Sequence, residues 1–409
     1  MKNSLIQSLF EPFQALKNRT FAKLYLAQTI SLIGDAFTWV GLALLAYEID
    51  PARSPVILAT ALTLRVTAFI VFSPFAGVLA DRVERKKILW VTHFVRMAIV
   101  GCLPFVAAEW QIYVLVFLLN VLNAFFTPTY RAIIPQIIEG KYFREAVGLS
   151  TATFQVLGIL GPGLAGILAV WLGAREIFLV DAASFVVAAL LILAIPAAEL
   201  QKGVAKNAGS KDGWLEVWRG IRLLFGNKIL RFALGIEFVS AIAGAQILVN
   251  TIGHIKTDLH LNDSDYGWAM AVFGIGAALA AFVAGIFDKS KSRSVSLILG
   301  ALLLGLAVSF ANFVGYPVLL ALWMLAGLGQ SLAEMPSETL IGEQIDNDDQ
   351  GKVYGSHFAF SHLWWAIAYP VAGFFGKNFP GTNFLFGGLL TLALGAIALL
   401  VFHSPKESK

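Results

Sequence analysis

The chain has 409 residues, 58% of them hydrophobic and 14% charged, with a formal net charge of +4. A soluble domain ordinarily carries about 25% charged residues, so this composition excludes a mostly water-exposed globule and calls for a bilayer, where apolar stretches of about 20 residues are expected. Cys102 is the only cysteine, which excludes an intrachain disulfide and a multi-cysteine metal site.

The first segment, Met1 to Thr20, mixes Lys2, Glu11, Lys17 and Arg19 with scattered Leu and Phe. It lacks the unbroken apolar core of a cleavable signal peptide and reads as a cytoplasmic surface helix leading into the first span. Twelve apolar runs follow, at about 24–47, 56–79, 88–108, 111–133, 146–172, 176–197, 230–252, 266–287, 294–313, 317–340, 354–376 and 382–402. Each is long enough, as a helix of about 30 Å, to cross a bilayer. The expected fold class is therefore all-α integral membrane.

Between spans six and seven lies the longest polar stretch, Glu199 to Gly213. It divides the chain into an N-terminal six-helix bundle at 1–197, a cytoplasmic linker at 198–228 and a C-terminal six-helix bundle at 229–409. Within the linker, Trp214 to Leu224 alternates apolar with charged residues at helical spacing, as in a helix lying on the inner membrane face. The end of span two, Gly77 to Arg82, has a weak echo at the end of span eight, Gly285 to Lys289, as expected of two repeated halves.

Basic residues set the orientation, because Lys and Arg accumulate in cytoplasmic loops. With both termini inside, 23 of the 30 fall on the inner side and 4 (Arg53, Arg175, Lys256, Lys377) on the outer, while Arg65, Arg96 and Arg131 lie within or at the edge of spans. The positive charge then reflects contact with the inner leaflet, not with a nucleic acid.

The loop after span two reads GVLADRVERKKIL and resembles the signature loop of the major facilitator superfamily, with Gly77, Asp81, Arg82, Arg85 and Lys86 matching and Glu84 standing where that family has glycine. Span five, with Gly148, Gly161, Pro162 and Gly166, resembles the antiporter motif of drug-exporting facilitators, although Leu157 and Ala165 replace two of its glycines. Leu32 to Asp35, Phe126 to Pro128, Pro135, Asp181 and Gly351 to Gly355 resemble the branch that holds macrolide efflux proteins and the enterobactin exporter. The resemblance implies two six-helix bundles working by alternating access, a hydrophobic or amphiphilic small-molecule substrate, protons as the coupling ion, no cofactor, a cell (inner) membrane location and a single chain as the working unit.

An ionisable side chain at the bilayer centre costs about 3 kcal/mol on insertion scales, so each needs a partner or a task. Asp35 and Arg65 lie sixteen positions before and fourteen after Pro51. On two antiparallel helices joined there they reach the same depth within about 3 Å, and pairing is expected. Two readings stand: a proton acceptor tuned by the arginine, or a static ion pair. In the second half, Glu334 and Glu338 share one face of span ten, with His357 and His362 across the next loop. Glu334 and His362 are the deeper two and form a candidate proton relay; Glu338 and His357 are read as interfacial. Glu237, within the helices that the resemblance assigns to the cavity, could attract a cation. Asn120, Asn123, Gln155, Gln246, Asn250 and Gln330 could add hydrogen bonds or serve only as helix glue, and Trp39, Trp364 and Trp365 suit an amphiphile.

No G-x-x-x-x-G-K-[ST], H-E-x-x-H or G-x-S-x-G run occurs. A P-loop ATPase and the commoner hydrolase chemistries are thereby excluded, and a gradient-driven exporter is expected. The other reading is a facilitator that imports or flips a metabolite or lipid.

Overall fold

In hydrocarbon every backbone N–H and C=O must be satisfied within the segment, so a long apolar run has the helix as its only open structure. The structure, a computed structural model, describes residues 11–138, 141–200, 213–288 and 293–402, and all long elements there are helices. In the first half these are α1 (Arg19–Ile49), α2 (Ser54–Arg82), α3 (Arg85–Cys102), α4 (Glu109–Ile137), α5 (Lys141–Leu172) and α6 (Ile177–Leu193). A shorter helix, α7 (Gly213–Gly226), precedes α8 (Lys228–Gly253), α9 (Asp263–Asp288), α10 (Arg293–Phe310), α11 (Tyr316–Gln344), α12 (Asn347–Asn378) and α13 (Asn383–Phe402).

Among the described residues, twelve long helices thus stand where twelve apolar runs predicted them. Nine of them, among the described residues, are long and apolar enough to cross a membrane, and Ile177–Leu193 is apolar but shorter. The amphipathic segment expected at Trp214 to Leu224 is α7. Of the N-terminal segment, Glu11–Lys17 is a 3-10 turn, and Met1 to Phe10 lie outside the described residues.

Contacts divide the chain into two units, Met1–Gly41 with Thr67–Ala208, and Leu42–Val66 with Gly209–Lys409. The hairpin Leu42–Val66, placed in the first half by its sequence position, is thus grouped with the second. The reason is local: Gly373 and Gly376 of α12 leave room for Pro55 and Ala59 of α2, and a Cβ at Gly373 would stand 2.7 Å from the Ala59 Cβ. Nearby, the Tyr47 hydroxyl hydrogen-bonds Thr257 Oγ1 at 2.9 Å, and Lys256 sits over the Tyr47 ring.

In the first unit, the Asn18 carboxamide caps α1 by accepting from Thr20 N and Phe21 N, each at 3.0 Å. At the same end of the bundle, Lys23 and Lys86 donate to the last carbonyls of α6, Ala194 O at 2.8 Å and Leu193 O at 2.9 Å. Both lysines complement the negative end of that helix. In the second unit α11 is gripped on two sides through glycines. Gly276 and Gly327 bring α9 and α11 into backbone contact, and Gly300 and Gly329 do the same for α10 and α11, where a Gly329 Cβ would stand 2.8 Å from Gly300 O. Lipid drives helices together only weakly, so close backbone approach at small residues carries the packing.

Candidate functional site

The first unit holds a polar cluster built from three helices, each contributing residues one turn apart. Asp35 and Thr38 come from α1, His93 and Arg96 from α3, and Asp181, Ser184 and Phe185 from α6. Spacings of three and four place such residues on one helix face. Gly34 makes the assembly possible, because a Cβ there would collide with the Ser184 hydroxyl and the Asp181 carboxylate. One face further on, a Cβ at Gly41 would come within 2.8 Å of the Phe178 ring. The Gly34, Thr38 and Gly41 stripe thus seats α6 directly on α1.

Arg96 Nη2 donates to Asp35 Oδ1 at 2.6 Å, and its guanidinium lies 4.1 Å from the Phe185 ring centroid. The arginine is 1% exposed and Asp181 is 0% exposed, so both are out of water's reach. Asp181 accepts from Thr38 Oγ1 and, at 3.1 Å, from Ser184 Oγ, and it feels both Asp35 and Arg96 electrostatically. His93 is fully buried between Phe126 and Phe185, with neither ring nitrogen bonded to a described residue. With both carboxylates ionised, the single guanidinium leaves the cluster one positive charge short of neutrality.

The expected Asp35–Arg65 pair is replaced: Asp35 is held by Arg96. Depth along a helix admits either arginine, and adjacency of α1 to α3 selects Arg96. Arg65 lies in the other unit, within electrostatic reach of Tyr369.

A second cluster lies in the second unit. His357 Nε2 of α12 bonds Glu237 Oε1 of α8 at 2.8 Å, and Ser240 Oγ, one turn along α8, donates to Glu334 Oε1 of α11 at 2.9 Å. Glu237 is 6% exposed, and its Oε2 has no hydrogen-bond partner among the described residues. Gln330 also bonds Glu334, and a Cβ at Gly244 would stand 2.7 Å from the Trp365 indole and 2.9 Å from Gln330 Oε1. Trp364 packs on Phe238 with ring centroids 4.9 Å apart, and Trp365 on Tyr369 at 5.4 Å. The histidine roles expected from sequence are exchanged. His357 joins the acids, whereas His362 turns back on its own helix, bonding Phe358 O at 2.8 Å and stacking on that ring. Glu338 is exposed, as expected of an interfacial residue.

Most remaining polar candidates act between or along helices. Asn120 Nδ2 donates to Val116 O at 2.8 Å, and Asn250 Nδ2 to Gln246 Oε1 at 2.8 Å and Ala372 O at 3.1 Å. Of the signature-loop residues, Arg85 donates to Ala132 O at 3.4 Å and Lys86 has the α6 contact above, while the side chains of Asp81 and Arg82, the surroundings of Gly77, the side chains of the echo at Gly285 to Asp288, and Lys289 lie outside the described residues. In span five, Gly161 packs on Ala36 of α1, where its Cβ would come within 2.5 Å, Gly166 is buried, and Gly148 borders open space. The side chains of Gln155 and Pro162 are outside the described residues.

Arg96 and His93 were not singled out from sequence. Arg96 is the one arginine near the middle of span three, and the rule that a buried charge needs a partner was the available signal.

The sequence profile of the Major Facilitator Superfamily matches residues 24–247 and 234–409. The chain belongs to this superfamily: it is a multi-pass membrane protein and a secondary transporter of small molecules, not an enzyme. It is 27% identical to the uncharacterized MFS-type transporter YfiS of Bacillus subtilis over 397 residues, covering 91% of each chain. Macrolide efflux protein A of Streptococcus pyogenes is 22% identical over 398 residues, with 93% of this chain and 95% of that one covered. The staphyloferrin A transporter of Staphylococcus aureus is 22% identical, with 71% and 73% covered. Among solved structures, the nucleoside transporter NupG superposes with a TM-score of 0.72 at 13% identity, covering 95% of this chain and all of that one. A POT family transporter in complex with 5-aminolevulinic acid gives 0.71 at 14%, with 96% and 97% covered. At these identities the structures establish the fold alone.

Proposed function

We propose that the chain exports a hydrophobic or amphiphilic small molecule in exchange for protons. The observation that carries this reading is the charge deficit at Asp35, Arg96 and Asp181, where one buried and one partly buried carboxylate face one guanidinium. A buried cluster lacking one positive charge binds a proton to become neutral, and it exchanges that proton when water or substrate reaches it. Glu237, Glu334 and His357 repeat the arrangement with a histidine as the base. The glycine-rich fifth span and the kinship to macrolide efflux protein A favour export, and the aromatic rings at Trp364, Trp365 and Tyr369 favour an amphiphile. Each charge moved down the membrane potential supplies about 2.3 kcal/mol per 100 mV.

The two six-helix halves, divided in the cytoplasmic linker, are taken to be the moving bodies, with both termini cytoplasmic and one chain as the working unit. Uptake of amphiphilic compounds into inverted vesicles, with and without an imposed pH gradient, tests the reading. Gradient-dependent accumulation of at least one compound is expected, and indifference to the gradient across the panel would favour the facilitator reading.

A further inference from the structure

A groove of about 680 Å³ opens beside α7, outside both polar clusters, at the end of the second unit where α8 begins and α11 ends. Its polar lining is Arg219, Arg222, Asn227 and Gln344, over Leu223 and Ile345, and among the described residues no acidic one lines it. Arg222 is exposed and makes no hydrogen bond or ion pair to a described residue. Arg219 is bound to Asp349 at 2.6 Å, but Asp349 also takes Lys352 at 2.9 Å, so that single carboxylate already faces two cations and cannot neutralise the groove.

Along α7, positions 215, 218, 222 and 225 form one stripe at helical spacing. Leu215 is 67% exposed and Trp218 64%, and Phe225 is exposed beyond them, with Arg222 set between. Tryptophan beside arginine on an apolar stripe matches the headgroup layer of a bilayer, where the indole anchors and the guanidinium meets phosphate. The helix cannot roll away from this position, because Gly220 rests on the Lys352 backbone and Ser356 of α12.

From this geometry we infer that the groove binds the phosphodiester headgroup of an anionic phospholipid, with Arg222 and Arg219 on the phosphate and the acyl chains along Leu215, Trp218 and Phe225. The apolar stripe adjoining the groove selects a lipid over a free anion, since a soluble phosphate has no use for it. Bound there, the lipid fastens α7 to the start of α8 and the end of α11.

The test measures phosphatidylglycerol and phosphatidylcholine binding to the detergent-purified full chain by native mass spectrometry, with unfolding midpoints recorded alongside. Phosphatidylglycerol is expected to bind severalfold more tightly than phosphatidylcholine. Arg222→Gln should weaken it about fivefold, the worth of one basic residue at an anionic surface, while its lipid-free midpoint stays at the wild-type value. Lys377→Gln, at an exposed position at the far end of α12, should change nothing. Equal binding of the two lipids, or unchanged phosphatidylglycerol binding in Arg222→Gln, would overturn the inference. Displacement of the lipid by millimolar inorganic phosphate would overturn it too, assigning the groove to a free anion.

Discussion

Arg96 is the residue on which the first cluster depends. Removing one partner of a buried ion pair leaves an uncompensated charge at a cost of about 3–5 kcal/mol, and here Asp35 and Asp181 would both lose their cation. Arg96→Met should therefore give protein that unfolds at markedly lower temperature, read from the melting midpoint in detergent. The opposite change relieves the deficit: Asp181→Asn leaves one carboxylate to one guanidinium, its amide oxygen still accepts from one of the Thr38 and Ser184 hydroxyls, and the other hydroxyl turns to accept from the amide N–H. That variant should fold, bind substrate and carry out substrate exchange, yet lose acceleration by a pH gradient. Wild-type gradient dependence in Asp181→Asn would remove this cluster from the coupling. Glu334→Gln makes the corresponding test in the second unit, where Ser240 can still donate to the amide oxygen.

At the scale of helices, the glycine contacts are the vulnerable points. A Cβ at Gly329 of α11 would stand 2.8 Å from Gly300 O and 3.0 Å from Leu304 N, both backbone atoms that cannot swing aside. Forcing extra carbons into a packed contact costs about 1–3 kcal/mol, so Gly329→Val should lower the melting midpoint. Gly148→Val, where no described residue lies within 4 Å of a built Cβ, should leave it unchanged. The same contrast applies inside the antiporter-like motif, whose Gly161 is a tight contact to Ala36 and whose Gly148 is not. Motif membership alone did not separate the two. Helix ends show the complementary logic, with Lys23 and Lys86 on the last carbonyls of α6 contributing both a hydrogen bond and a favourable charge–dipole interaction.

For the whole molecule, the bilayer dictates helices and their length, and the two units then each enclose two carboxylates beside one basic group. That repetition follows no repeated sequence motif: Asp35, Arg96 and Asp181 come from α1, α3 and α6, whereas Glu237, Glu334 and His357 come from α8, α11 and α12. If each cluster carries a proton in the cycle, the steepness of transport against pH should fall in Asp181→Asn and in Glu334→Gln alike, measured as initial rates in vesicles at fixed membrane potential. An unchanged slope in either variant would confine coupling to the other cluster.

Twelve long helices among the described residues, the amphipathic α7 and membership of the superfamily were readable from residue order, because hydrophobic length, charge asymmetry between loops and the signature loop are all local or additive along the chain. The intramembrane acids were readable for the same reason, as charges where charge is expensive. Their partners were not. Depth matched Asp35 with Arg65, and five positions, about one and a half turns, separated His357 from His362. Which helices are neighbours, and which way each is rotated, is decided by contacts such as Gly34 on Asp181 and Ser184 and Gly244 on Trp365. Those depend on side-chain volume meeting backbone from distant parts of the chain, so only the tertiary structure pairs Asp35 with Arg96 and Glu237 with His357.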